Sequence, residues 1–136
     1  MRPPPRRPLP WLPPPLPLPP PHKNFEKRFC RPEDDSDPVL WGYNEGSSRP
    51  LVGPGYFICR STAGDSRGDV VVDYYQVPPS RPATWPPIER NEDGVSRMVY
   101  GHMQDFLRRV SDHVTIGRAY KHDRETPNCF TLCREG

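Results

Sequence analysis

Two stretches of the chain gather apolar side chains as strands do. Gly55 to Arg60 and Asp69 to Val77 are rich in β-branched and aromatic residues, and Ser61 to Gly68 between them is small, polar and holds two glycines, which is turn chemistry. They predict a pair of antiparallel strands. Farther on, Val95, Met98, Val99, Met103, Phe106, Leu107 and Val110 recur at helical spacing. An entry at Asn91 to Gly94, where Asp93 or Ser96 can cap, precedes them, and the pattern predicts a helix over 95–110. Val114 to Ile116, ended by Gly117, reads as a last short strand, and the chain from Lys121 onward is polar. The implied fold class is α+β: one small domain over 39–120 with a short antiparallel sheet packed on one main helix. Phe57, Val71, Val99, Phe106 and Leu107 are its expected core, and 121–136 is a polar C-terminal tail.

Prolines set the remaining boundaries. The chain has 136 residues and 22 prolines, twelve of them within the first 22 positions. Proline locks φ near about −65° and removes a donor, so Met1 to Pro21 is expected as a disordered or polyproline II tail rather than a helix or strand. His22 to Asp37 is charged and lacks apolar periodicity, ending in the acidic group Glu33, Asp34, Asp35 and Asp37, so 1–38 reads as tail and linker together. Five prolines between Pro78 and Pro87 make that stretch a loop or an extended edge.

Charge is divided along the same line. The net charge is +2, while Met1 to Cys30 carries Arg2, Arg6, Arg7, Lys23, Lys27 and Arg28 against Glu26, which is +5 and leaves −3 for the rest. A nucleic-acid binder carries a basic stripe on its folded part, and no such stripe follows Cys30, so nucleic acid is not an expected partner. No run of about 18 apolar residues occurs, which excludes a membrane-spanning helix. The prolines also break the apolar helix of an export signal or a presequence. The expected compartment is therefore the cytoplasm, with a place in a mitochondrial or ciliary assembly as the alternative.

Candidate chemistry is sparse. Cys30, Cys59, Cys129 and Cys133 read as reduced thiols in such a compartment. Cys129 and Cys133 with His113 and His122 offer the donor types of a zinc site, but their spacing fits no common finger, and no metal or cofactor is expected. Phosphate loops, nucleophile elbows and two-histidine metal motifs do not occur, and Cys59 with His102 or His113 makes a thiolate–imidazole pair only if the fold joins them. The expectation is not an enzyme.

The tail carries a docking pattern. In Arg7-Pro8-Leu9-Pro10-Trp11-Leu12-Pro13 two apolar–proline pairs stand three residues apart. A polyproline II helix has about three residues per turn, so Leu9-Pro10 and Leu12-Pro13 share one edge and Arg7 lies one turn earlier. This resembles the arginine-first ligands of Src-homology-3 domains. The resemblance implies that Arg7, Leu9, Pro10, Leu12 and Pro13 bind a protein partner of that kind or another proline-reading domain. Leu16 to Pro21 resembles profilin ligands.

A second resemblance falls in the folded part. Gly55-Tyr56-Phe57-Ile58-Cys59-Arg60-Ser61-Thr62 is similar to the second-strand signature of Src-homology-2 domains. Tyr100, Met103, Phe106, Leu107 and Val110 resemble that family's second helix. The resemblance implies a phosphate ligand in Arg60, with Ser61, Thr62 and Gly64 as its loop. Arg67-Gly68-Asp69 sits on the predicted turn, with Gly68 expected at positive φ. Together these features point to a non-catalytic, adaptor-like interaction protein with a docking tail and a small binding domain. The alternative is a structural accessory subunit of a large assembly.

Overall fold

The computed structural model describes residues 25–33 and 38–135, so the tail positions Arg7, Leu9, Pro10, Leu12 and Pro13 lie outside the described residues. Seven strands form one antiparallel sheet in chain order: β1 (Glu26–Cys30), β2 (Leu40–Glu45), β3 (Phe57–Ser61), β4 (Val70–Asp73), β5 (Met103–Arg109), β6 (Val114–Lys121) and β7 (Arg124–Cys133). Two short helices, α1 (Arg49–Val52) and α2 (Gly94–Val99), fill connections. The sheet curls into a half-barrel. Its two edge strands come together without pairing: Phe25, just before β1, meets Phe130 of β7 edge to face at 6.1 Å.

This corrects the expected α+β arrangement of a short sheet on one main helix. Of the apolar positions of 95–110, Val95, Met98 and Val99 fall in α2, Met103, Phe106 and Leu107 in β5, and Val110 is exposed beyond it; a turn in which His102 takes a φ of 56° separates the two elements. In β5, Met103, Asp105 and Leu107 face the concave side while Gln104, Phe106 and Arg108 face outward, the period of two that a strand requires. Asp105, Phe106 and Leu107 are all buried. A strand covered on both faces loses its visible alternation, and the apolar residues that remain happen to match helical spacing. Val99 is only half-buried, whereas Phe57, Val71, Phe106 and Leu107 are core as expected.

The sheet also reaches beyond 39–120. Strand β1 lies in the stretch read as linker, and β6 and β7 form a hairpin that takes in most of the stretch read as polar tail. His122 and Asp123 close that hairpin as a two-residue turn with φ of 50° and 61°, the positive pair of a type I′ turn. The strands at Phe57–Ser61 and Val70–Asp73 fall where the pattern put them and pair antiparallel. Gly68 is not at positive φ. It is glycine because a Cβ there would stand 2.7 Å from the Leu107 carbonyl oxygen.

Inside the curl, Phe57, Cys59, Val72, Tyr74 and Leu107 make one cluster, with Leu40, Val70, Tyr100, Met103, Phe130 and Leu132 against it. Two of its aromatic rings rest on glycines directly opposite: Phe57 faces Gly42 across β2–β3, and Phe130 faces Gly117 across β6–β7. A Cβ at Gly42 would lie 2.3 Å from the Phe57 ring and 2.5 Å from the Arg28 carbonyl oxygen. The outer face of β2 and β3 is covered by the proline-rich connection: Trp85 packs on Tyr43 at 4.8 Å, and Tyr56 donates its hydroxyl to the Pro86 carbonyl.

Phe57→Ala should therefore cost about 3 to 5 kcal/mol, and Gly42→Ala about 1 to 3 kcal/mol by forcing the same ring off its seat. Urea denaturation of both variants tests this; a Gly42→Ala midpoint equal to wild type would mean the ring does not rest on that glycine.

Candidate functional site

Phe25, just before β1, and Lys27 and Phe29 within it alternate toward the concave side, which puts a lysine in an aromatic interior. Its ammonium lies 5.3 to 5.5 Å from the ring centres of Phe25, Phe57, Tyr74 and Phe130. Strand β5 supplies the counter-charge: Lys27 Nζ stands 3.4 Å from Asp105 Oδ2, with the two side chains 4% and 5% exposed. Lys27 also donates to Asn44 Oδ1 at 2.9 Å and to the Tyr74 hydroxyl at 2.6 Å, so the ammonium is held by two hydrogen bonds and the ion pair. The Tyr74 hydroxyl donates in turn to Asp105 Oδ2 at 3.3 Å. Asn44 donates to the Gly55 carbonyl at 3.0 Å and to Tyr74 at 3.1 Å. Asp105 Oδ1 is buried with no hydrogen-bond partner.

Removal from water dominates the titration of this group. Desolvation lowers the Lys27 pKa and raises that of Asp105, and in both the attraction between them only partly opposes it. Burial, and then the Asp105 charge, holds the Tyr74 phenol well above its ordinary value and pushes Tyr100 up to about 12. Cys59, on the same concave face, is pushed up to about 11 by burial, which keeps it a thiol rather than a nucleophilic thiolate. The arrangement is an acid, an amine, a phenol and an amide bonded to one another, with protein side chains filling the space around them.

The residues singled out in the sequence stand elsewhere. Arg60 lies on the outer face of β3, and its Nη2 meets Asp73 Oδ2 of β4 at 2.8 Å, while Asp73 Oδ1 accepts the Tyr75 amide at 2.9 Å. Thr62 donates its hydroxyl to the Gly68 carbonyl at 2.8 Å, and Ser61 is exposed beside it at the same strand end. The three are together, with Arg60 engaged by a carboxylate of its own sheet and Thr62 closing its own turn. Among the described residues no three or more of His, Cys, Asp and Glu gather as metal ligands. The quartet of Lys27, Asn44, Tyr74 and Asp105 is absent from the sequence reading. Its signal is a charged residue at an inward position between two apolar ones, as in Phe25-Lys27-Phe29 and Met103-Asp105-Leu107.

Removing one partner of a buried pair leaves an uncompensated charge, so Lys27→Met should cost about 3 to 5 kcal/mol, whereas Lys27→Met with Asp105→Leu should return to wild-type stability or exceed it. The pH dependence follows from the two shifts. A raised Asp105 pKa makes its contribution greatest below the unfolded value and smaller as pH rises through the folded one. A lowered Lys27 pKa makes its contribution grow as pH rises above the folded value toward the unfolded one. The double variant should lose both slopes. Chemical denaturation across pH tests this, and a double variant as unstable as the worse single one would mean the pair is a net gain to the fold.

Compared with known proteins, the chain matches no family model, no curated protein and no solved structure, so what this arrangement can do has to come from its own geometry.

Proposed function

We propose that the chain is a non-catalytic protein–protein interaction protein that displays a proline-rich docking tail from a rigid curled sheet. The observation that carries this reading is the seat of Lys27. Its amine donates to Asn44 and Tyr74 and is paired with Asp105 inside a side-chain-filled interior, which suits an anchor and not a group offered to a reactant. That anchor is on β1, the first strand after the proline-rich stretch in the sequence. The pattern of Arg7, Leu9, Pro10, Leu12 and Pro13 supports a Src-homology-3 or similar proline-reading domain as the partner, with the cation meeting an acidic pocket and the two apolar–proline pairs filling aromatic slots.

Titration of the full chain against a panel of Src-homology-3 domains tests the reading. Arg7→Ala should remove a charge-assisted contact and weaken binding roughly ten- to a hundredfold. Pro10→Ala should also weaken it, and Trp11→Ala, which the two-slot pattern does not use, should matter less. Binding by no member of the panel, or a larger loss from Trp11→Ala than from Arg7→Ala, would remove the two-slot docking reading.

A further inference from the structure

The outer face of β5, β6 and β7 carries a groove of about 520 Å³ beside the turn that joins β3 to β4. Three arginines from three elements line it: Arg67 from the turn, Arg108 from β5 and Arg118 from β6. Arg118 stands directly opposite Phe106 in the β5–β6 register, and Arg108 opposite Ile116, so the two cations are diagonal neighbours on one face. The register of β7 shifts between the partners of Arg118 and Tyr120, and this irregularity brings Glu125 and Cys129 to the rim.

The guanidinium groups are not equally occupied. Arg67 lies over Phe106, 4.0 Å from the ring centre, and is fixed by a two-point contact with Asp65 at 3.1 and 2.9 Å and by Asp123 at 2.8 Å. That contact draws the Asp65 carboxyl down to about 2. Arg118 pairs with Glu125. Arg108 donates only to the Ser66 carbonyl and has no carboxylate partner among the described residues. The lining thus holds three cations against one anion, Glu125, a local excess of +2. Asp65 and Asp123 lie outside the lining and neutralise the wider patch, so any attraction is short-range and directional.

From this geometry we infer that the groove binds a phosphate monoester. A single carboxylate satisfies one arginine fork, and those of Arg67 and Arg118 already face carboxylates. Arg108, which faces no carboxylate among the described residues, with Arg118 diagonal to it and held by Glu125 alone, instead offers N–H donors to a group with three acceptor oxygens and about −1.5 to −2 charge. Tyr120 and Ile116 receive the apolar part of the ester. The phosphate belongs either to a small free ester or to a phosphorylated side chain of a partner protein, which share this chemistry.

The test is an NMR titration of the full chain with phenyl phosphate and with a short phosphoserine peptide, following the arginine side-chain Nε–H signals. Both probes should shift Arg108 and Arg118. Arg108→Gln and Arg118→Gln, at exposed positions, should each weaken binding at least tenfold with an unchanged melting midpoint, while Arg90→Gln, outside the groove, should leave it intact. Affinity should fall below about pH 6, where the phosphate loses its second charge. Tighter binding of the peptide assigns the phosphate to a partner protein, and equal binding assigns it to a free ester; either upholds the site. Absence of shifts, phenol binding as well as phenyl phosphate, or binding that survives both arginine substitutions would overturn it.

Discussion

A lysine and an aspartate that would each be better hydrated are held together inside the curl, where they tie the first strand to the fifth. Lys27 belongs to the first strand and Asp105 to the fifth, so their pairing, with Phe25 against Phe130, draws one edge of the sheet across its concave face. Both pKa values move toward the neutral forms, and one oxygen of Asp105 has no partner, so the pair is weak as a source of stability. Its value is in register. A slip of β1 by one residue would turn Lys27 outward and send Glu26 or Arg28 into the aromatic interior, where nothing is placed to receive either.

The two faces of the sheet are covered by different means. The concave face is filled by the sheet's own rings, seated on Gly42 and Gly117 where a larger residue would push them off. The outer face of β2 and β3 is covered by the loop between β4 and α2. Proline offers no amide to a ladder but keeps its carbonyl, and the Pro86 oxygen takes the Tyr56 hydroxyl. At the far end of that loop Asn91, 1% exposed, donates to the carbonyls of Tyr56 and Tyr74 at 2.8 and 2.9 Å. A segment with no strand character thus satisfies polar groups that the short β3 and β4 leave over.

How legible an element was depends on where it sits in the sheet. Strands β3 and β4 carry dense β-branched and aromatic runs with a clear turn between them, and the sequence marks both. Strand β5 is buried on both faces, so its alternation is blurred and reads as a helix. The edge strands show the opposite fault: in β1 and β7 most side chains face water, and only Phe25, Lys27, Phe29, Phe130 and Leu132 mark the inner face. A lysine there looks like an ordinary solvated charge until β5 and β7 lie across it. Arg60 was visible as an arginine at the end of a strand, whereas Asp73, which engages it, becomes its neighbour only through the β3–β4 register.

The contact between the first strand and the last also sets the order in which the chain can be completed. Synthesis proceeds from the N-terminus, so Lys27 leaves the ribosome long before Asp105 and longer still before Phe130. Each earlier hairpin can pair with its neighbour as it emerges, but the interior cannot be sealed until Arg124–Cys133 is free. Closure is therefore a late, long-range step of the kind that slows folding. Until then β1 presents a charged outer row to solvent, Glu26 and Arg28, and charge on an edge strand discourages unfinished chains from pairing with one another.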